Sequence, residues 1–365
     1  MSAADRVVNF SPGPGVLPLS VLQQVRDDLP SLPGVGASAL EVSHRGDWFE
    51  GVIAEAEANL RSLLRIGDDH RVLFCQGGAS MQFAMVPMNL LHGAGADHIV
   101  TGSWGARAAA EGTTVGAARI AWTGEPGSFV RTPSDEEILG ALDPAADYVH
   151  VTSNETIQGV QYAGTPALPD EVVLVADASS DFLSRPLDVG RYGVVLAGAQ
   201  KNAGPAGVTI VVVRGDVLER IPDGLPAMLD YRTYAEHGSL YNTPPVFAIY
   251  IVMLVTRWLR DEIGGLDAMA TINEAKAQLL YDAIDGNPDV YQGHAEPSSR
   301  STMNVTFRLP TDEDKTAFLA GAAEQGMVEL RGHRSVGGIR ASIYNAMPVE
   351  GVERLADFMR RFAER

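Results

Sequence analysis

Between Arg71 and Val213 the chain repeats one theme, a short apolar run followed by a turn and, in several places, an amphipathic stretch. The apolar runs are Arg71 to Cys75, Asp97 to Thr101, Ala118 to Trp122, Asp147 to Thr152, Val172 to Asp177, Val194 to Ala197 and Val208 to Val213. Short runs rich in β-branched residues and bounded by turn formers read as strands buried on both faces. Helical periodicity covers Asp47 to Ile66, Met81 to Leu91, Arg107 to Thr113 and Ser134 to Leu142. Such alternation predicts an α/β fold with a mostly parallel, seven-stranded-type sheet, because parallel neighbours need a helical crossover and the crossovers cover both faces. In that fold the C-terminal strand ends line one crevice, where ligands bind.

The pattern changes near Gly264-Gly265. A long helix, Leu266 to Ile284, leads to a strand near Asn304 to Leu309, a helix from Thr311 to Gln325, a strand near Ile339 to Ile343 and a last helix from Pro348. We read a large domain over 16–264 and a smaller α+β domain over 265–365, as 365 residues exceed one ordinary core. Hydrophobic residues at 45% and charged ones at 20% describe a folded chain. The net charge of −18 argues against nucleic acid and anionic membrane as partners. The apolar stretch Pro245 to Thr256 is short for a bilayer and closes at Arg257, so it reads as a core helix. No signal peptide is read in Met1 to Arg6, and a cytoplasmic location is expected. Cys75 is the single cysteine, which excludes an intrachain disulfide and a cysteine-cluster metal site; no metal is expected.

Two strand ends carry the chemistry. Gly198-Ala199-Gln200-Lys201-Asn202-Ala203-Gly204-Pro205-Ala206-Gly207 sets one lysine in a rigid turn beside an apolar run, where burial favours the neutral, nucleophilic amine. The preceding strand ends at Asp177, 24 positions earlier, followed by Ala178-Ser179-Ser180. A lone lysine beside glycines is commonly solvated, and a strand-ending aspartate commonly caps a helix. Both on consecutive strand ends fit a lysine Schiff base with an acid at a pyridinium nitrogen, the requirement of pyridoxal 5′-phosphate (PLP). Gln76-Gly77-Gly78-Ala79-Ser80 opens a helix, and free N–H groups there suit a phosphate, although an ordinary βα turn has the same form. In this acidic chain, Arg331-Gly332-His333-Arg334-Ser335-Val336-Gly337-Gly338-Ile339-Arg340 gathers three arginines and a histidine, a match for carboxylate or phosphate oxygens. His44-Arg45-Gly46 is a smaller basic point that, alone, reads as a helix-entry loop.

These segments together closely resemble the phosphoserine aminotransferase family, in class V of the fold-type I PLP enzymes. The resemblance rests on Asn9-Phe10-Ser11-Pro12-Gly13-Pro14, Glu41-Val42-Ser43-His44-Arg45-Gly46, Asn154-Glu155-Thr156, the Asp177 segment, Gly198 to Gly207, Tyr241-Asn242-Thr243-Pro244-Pro245, and Gly332 through Arg340-Ala341-Ser342-Ile343-Tyr344-Asn345-Ala346, in family order. It implies a fold-type I PLP transferase, with residues 1–15 as an N-terminal arm packing on the small domain. It implies catalytic Lys201 holding PLP and moving the substrate's proton, and catalytic Asp177 at the ring nitrogen. Trp104 would stack on the ring and Thr156 would bond its phenolic oxygen. Ala79, Ser80 and Gln200 would hold the phosphate, completed by Asn242 and Thr243 of the partner subunit, so a homodimer with shared active sites is implied. Arg340 would bind the substrate carboxylate, and His44, Arg45, His333 and Arg334 the distal anion.

The substrates so implied are L-glutamate and 3-phosphohydroxypyruvate, giving O-phospho-L-serine and 2-oxoglutarate, with a second use in pyridoxine synthesis. Two departures bear on the anion grip: Ser80 stands where some members carry arginine, and Pro12 replaces a residue whose serine side chain contacts glutamate in others. The alternatives are another class V aminotransferase of alanine–glyoxylate type, a cysteine desulfurase, or a PLP-binding protein without catalysis. A desulfurase needs a mobile cysteine, whereas Cys75 ends an apolar strand.

Overall fold

The computed structural model describes residues 6–125 and 128–365, so the first five residues of the expected arm, which are also part of the N-terminal stretch read for a leader, lie outside the described residues. The chain opens with β1 (Val8–Asn9), α1 (Leu19–Asp28) and α2 (Asp47–Leu64). The alternating region runs β2 (His70–Cys75), α3 (Gly78–Leu90), β3 (Ala96–Val100), α4 (Ser103–Val115), β4 (Ala118–Thr123), α5 (Asp135–Ala141), β5 (Tyr148–Thr152), a small hairpin of β6 (Asn154–Glu155) and β7 (Val160–Gln161), β8 (Leu174–Asp177), β9 (Val194–Gly198) and β10 (Thr209–Arg214). Next come α6 (Gly215–Glu219), α7 (Tyr231–Glu236), α8 (Val246–Trp258) and α9 (Leu266–Asp285). The chain closes with β11 (Gln292–Gly293), β12 (Asn304–Arg308), α10 (Asp312–Glu324), β13 (Met327–Val328), β14 (Ile339–Ser342) and α11 (Val349–Ala363).

The seven expected strands form one sheet in the order β2-β10-β9-β8-β5-β3-β4. Neighbours from β9 to β4 pair in parallel, and β10 is antiparallel to both β2 and β9. The link between Gly198 and Thr209 is shorter than the dozen or so residues that a helical crossover needs, so the chain returns antiparallel. Helices cover both faces. Phe49 and Leu60 of α2 and Ile249 and Val252 of α8 pack with Val195 and Ile210 on one side. Met85 and Val86 of α3 and Tyr231 of α7 pack with Leu196 and Val211 on the other.

A separate apolar cluster joins α9, β12, α10, β14 and α11 through Leu280, Phe307, Phe318, Ile339 and Phe358, and Phe10 from the N-terminal segment enters it. β1 lies parallel to β13, pairing Val8 with Met327. α8 runs on past Arg257 into a π-helical turn over Leu259–Ile263, and Arg257 pairs with Glu55 of α2 at 2.7 Å. Among the described residues no helix is long and apolar enough to cross a membrane.

Candidate active site

Strands β5, β8 and β9 end together at the crevice. Asp177, the last residue of β8, is buried, and its Oδ1 accepts from the backbone N–H of Ser179 at 3.0 Å and from Ser179 Oγ at 2.6 Å. Ser179 Oγ in turn accepts from Gly198 N–H at 3.0 Å, which ties the ends of β8 and β9. Both bonds fall on Oδ1, so Oδ2 is left to a ligand. Burial raises the Asp177 pKa, while Ser179 and the Lys201 charge pull it back.

Lys201 follows three residues after β9, and its Nζ bonds Thr156 Oγ1 at 2.5 Å and lies 5.0 Å from the centre of the Trp104 ring. Burial lowers its pKa to about 8, against the pull of Asp177 and Glu155 and with the push of Arg340. An amine so tuned keeps a useful neutral fraction near pH 7 and attacks carbonyl carbon. Gln200 sits beside it, its carbonyl accepting from Gly15 N–H at 2.7 Å. The N-terminal segment therefore crosses over the lysine turn.

Trp104 stands in the first turn of α4, which begins four residues before the expected Arg107. Its cap explains the difference. Gly102 has no side chain to cap with, and the leading N–H groups are taken from far along the chain: Ser103 N–H by Gln158 Oε1 at 3.2 Å, Trp104 N–H by Glu155 Oε2 at 2.9 Å and Gly105 N–H by Glu155 Oε1 at 2.7 Å. Glu155 is fully buried, and burial raises its pKa to about 7. Glu155 belongs to the triplet quoted above, yet its partners are 50 and 51 positions away.

Ala79 and Ser80 lie in the first turn of α3, where backbone N–H groups are free of helical partners. Gly77 makes this turn with φ 88°, and a Cβ there would come within 2.5 Å of Met81 Cβ. Asn242 and Thr243 lie between α7 and α8, and the Thr243 carbonyl accepts from Gln76 of the same chain at 3.5 Å, at the edge of this turn. Arg340, on β14, is buried at 6% exposure, and its Nε has no hydrogen-bond partner among the described residues. Burial lowers its pKa, and Tyr344 alone opposes this. Tyr344 donates to the Pro12 carbonyl at 2.7 Å and receives Asn304 Nδ2 at 3.3 Å. At Pro12, then, it is the backbone that is engaged.

The peripheral basic residues are looser. His333 bonds Ser335 Oγ at 2.7 Å, and its pKa is lowered by burial and by the charges of Arg340 and Arg334. Arg334 and Arg45 are exposed, and Arg45 Nε reaches His44 Nε2 at 3.3 Å. Among the described residues, Lys201, Thr156, Trp104, Asp177 and Arg340 are thus drawn together, whereas His44, Arg45 and Arg334 share no hydrogen bond or ion pair with them. Sequence reasoning gave no role to Glu155, Gln158, Ser179 or Tyr344. Cys75 is buried, which pushes its thiol far up and leaves no thiolate for sulfur chemistry.

These groups fit PLP and an amino acid: an amine with a useful neutral fraction for the aldehyde, a free carboxylate oxygen for a ring nitrogen, the N–H groups of a helix N-terminus for a phosphate and an unpartnered guanidinium for a carboxylate. The family model described as Aminotransferase class-V matches residues 7–355. A phosphoserine aminotransferase of Rhodopirellula baltica is 49% identical over 100% of this chain and 97% of its own. The solved phosphoserine aminotransferase of Bacillus circulans subsp. alkalophilus is 46% identical, covers 99% of each chain and superimposes with a TM-score of 0.94. That of Trichomonas vaginalis, with PLP bound, is 36% identical over 97% of this chain and 99% of its own, with a TM-score of 0.91. PLP is the cofactor of this fold-type I enzyme. A match running through nearly the whole chain, on a site already built for such a cofactor, makes this protein a member of the class-V aminotransferase family.

Proposed function

We propose that this aminotransferase moves the amino group of L-glutamate to 3-phosphohydroxypyruvate, yielding 2-oxoglutarate and O-phospho-L-serine in a ping-pong cycle. The observation that carries the reading is Arg340, a buried guanidinium with an unpartnered Nε whose charge presses on Lys201. An α-carboxylate placed there meets a planar fork of donors and sets the Cα–H bond near the lysine. The naming of full-length relatives near 50% identity supports the phosphorylated substrate.

Bound PLP supplies the electron sink that weakens the substrate's Cα–H bond. The chain's residues do the rest. Asp177 Oδ2 would hold a proton at the ring nitrogen. The Lys201 amine takes the proton from Cα and keeps it within the cleft, with Thr156 Oγ1 steadying the amine between transfers. Ala79, Ser80 and Gln200 would hold the cofactor phosphate, and Trp104 would cover the ring. His333, Arg334, His44 and Arg45 meet the γ-carboxylate of glutamate and then the phosphate ester, and the exposed side chains of Arg334 and Arg45, beside the half-buried His333 and His44, suit one pocket that accepts both.

Within the same proposal, Asn242 and Thr243 complete the phosphate site of a partner subunit in a homodimer. The exposure of Tyr241, Met81 and Leu40 supports an apolar surface covered in the dimer. The division into an arm over 1–15, a large domain over 16–264 and a small domain over 265–365 is supported by the separate apolar cluster that takes in Phe10. The cytoplasm is the compartment in which soluble phosphorylated keto acids meet such an enzyme. Use of the same grip on the longer phosphorylated keto acid of pyridoxine synthesis belongs to this reading.

An acceptor panel with glutamate as donor tests it. We expect 3-phosphohydroxypyruvate to exceed hydroxypyruvate and glyoxylate in kcat/KM. Preference for glyoxylate or hydroxypyruvate would move the protein to the alanine–glyoxylate type, and absence of any turnover with PLP bound would leave a binding protein.

A further inference from the structure

Helix α4 carries Trp104 toward Lys201 but has no local cap, since its N-cap residue is Gly102 and no side chain bonds from that position. One carboxylate, Glu155, accepts from the second and third helical residues, Trp104 N–H at 2.9 Å and Gly105 N–H at 2.7 Å. The next residue along, Thr156, bonds Lys201 Nζ at 2.5 Å. The end of β6 and the residue after it are therefore a bracket with one arm on the tryptophan's backbone and the other on the lysine. Gly102 is part of it, because a Cβ there would stand 2.5 Å from Glu155 Cδ.

Charge matters as well as shape. A buried carboxylate is costly, and two helix N–H groups, one on each oxygen, together with the positive end of the helix dipole offset part of that cost here. Glutamine has nearly the same shape, yet it offers one carbonyl oxygen to two N–H donors and turns an amide N–H toward the other. We infer that Glu155 is a positioning residue that caps α4 from a distance and thereby fixes Trp104 over Lys201 at the height that the cofactor ring requires. The inference rests on Trp104 being the residue that covers the ring. Lys201 from the turn before β10, Asp177 from β8 and Tyr162 are the titratable groups close enough to share a charge interaction with Glu155.

The test compares Glu155→Gln with wild type, free of cofactor and loaded with PLP. In the cofactor-free protein, hydrogen exchange at the amides of Trp104 and Gly105 should rise about tenfold, the effect of one lost bond to a charged group, while Ser103, held by Gln158, changes less. The PLP dissociation constant, read from quenching of Trp104 fluorescence, should also rise about tenfold. Loss of this carboxylate, which is anionic above its pKa of about 7, should move the titration of the bound cofactor's visible band to lower pH. Gly102→Ala, which presses on the same contact while leaving the carboxylate in place, should weaken PLP without that pH shift, and it stands in if the first variant does not fold. Unchanged amide exchange overturns the cap, and faster exchange with unchanged PLP affinity overturns the positioning role. Trp104→Phe separates the underlying reading: if it alters neither PLP affinity nor the visible band, ring coverage by Trp104 falls, and the amide exchange still decides the cap.

Discussion

Arg340→Leu should make this protein more stable and nearly inactive at once. The guanidinium is 6% exposed, its Nε has no partner and burial depresses its pKa, so before substrate arrives the fold carries an uncompensated buried charge. Replacing buried ionic groups by apolar residues of similar volume stabilises by about 1–4 kcal/mol where they were poorly compensated. An unfolding entropy of about 2.1 cal/mol/K per residue over 365 residues is about 0.77 kcal/mol/K, so the gain corresponds to a rise in Tm of roughly 1–5 °C. The same change leaves the substrate's α-carboxylate unpaired, which costs about 3–5 kcal/mol, a loss of roughly 10²- to 10³·⁵-fold in kcat/KM. Donor and acceptor share that carboxylate, so both half-reactions should fall by the same factor. Calorimetry on the cofactor-free protein and single half-reactions followed by absorbance read the two effects. A lower Tm would mean that the arginine is a structural member, and unequal losses for amino acid and keto acid would mean that it grips something other than the shared carboxylate.

The rate at which apoenzyme captures PLP should climb tenfold per pH unit up to about pH 8 and then level off, since the Lys201 pKa lies below that of a free lysine and only the neutral amine reacts. Stopped-flow absorbance reads this, and a plateau only near pH 10.5 would show that burial does not tune the amine. A Lys201→Ala chain mixed with an Asn242→Ala, Thr243→Ala chain should recover activity above either parent, because one site of the heterodimer keeps its own lysine and intact contacts from its neighbour; no recovery in proven heterodimers would refute a shared phosphate site. Arg334→Ala should cost about 1–2 kcal/mol in kcat/KM for 3-phosphohydroxypyruvate, the lower part of the range for charged hydrogen bonds because the side chain is exposed, and much less for hydroxypyruvate. Equal losses would place Arg334 elsewhere than at the phosphate.

The seven strands were legible because a strand buried on both faces needs an apolar run that stands out locally, and each run appears in the sheet within two residues of its sequence limits. Lys201 and Asp177 were legible for a related reason. Each ends such a run, and the parallel sheet brings the ends of β8 and β9 together without knowledge of any other contact. Groups held by partners far along the chain were not legible. Trp104 N–H finds its acceptor 51 positions away, and the Tyr344 hydroxyl finds Pro12 at a separation of 332, so no window around either residue contains the reason for its place. Arg340 is the sharpest instance. In sequence it is one of three arginines in a basic stretch, and although the run Ile339 to Ile343 around it reads as a strand, no nearby residue shows whether that strand buries it. The fold separates them, because β14 pairs with β12 and draws Arg340 into a buried row while Arg331 and Arg334 remain in water. Composition locates a basic patch, but pairing decides which of its members loses water, and the arginine left dry and unpartnered is the one whose charge awaits a substrate.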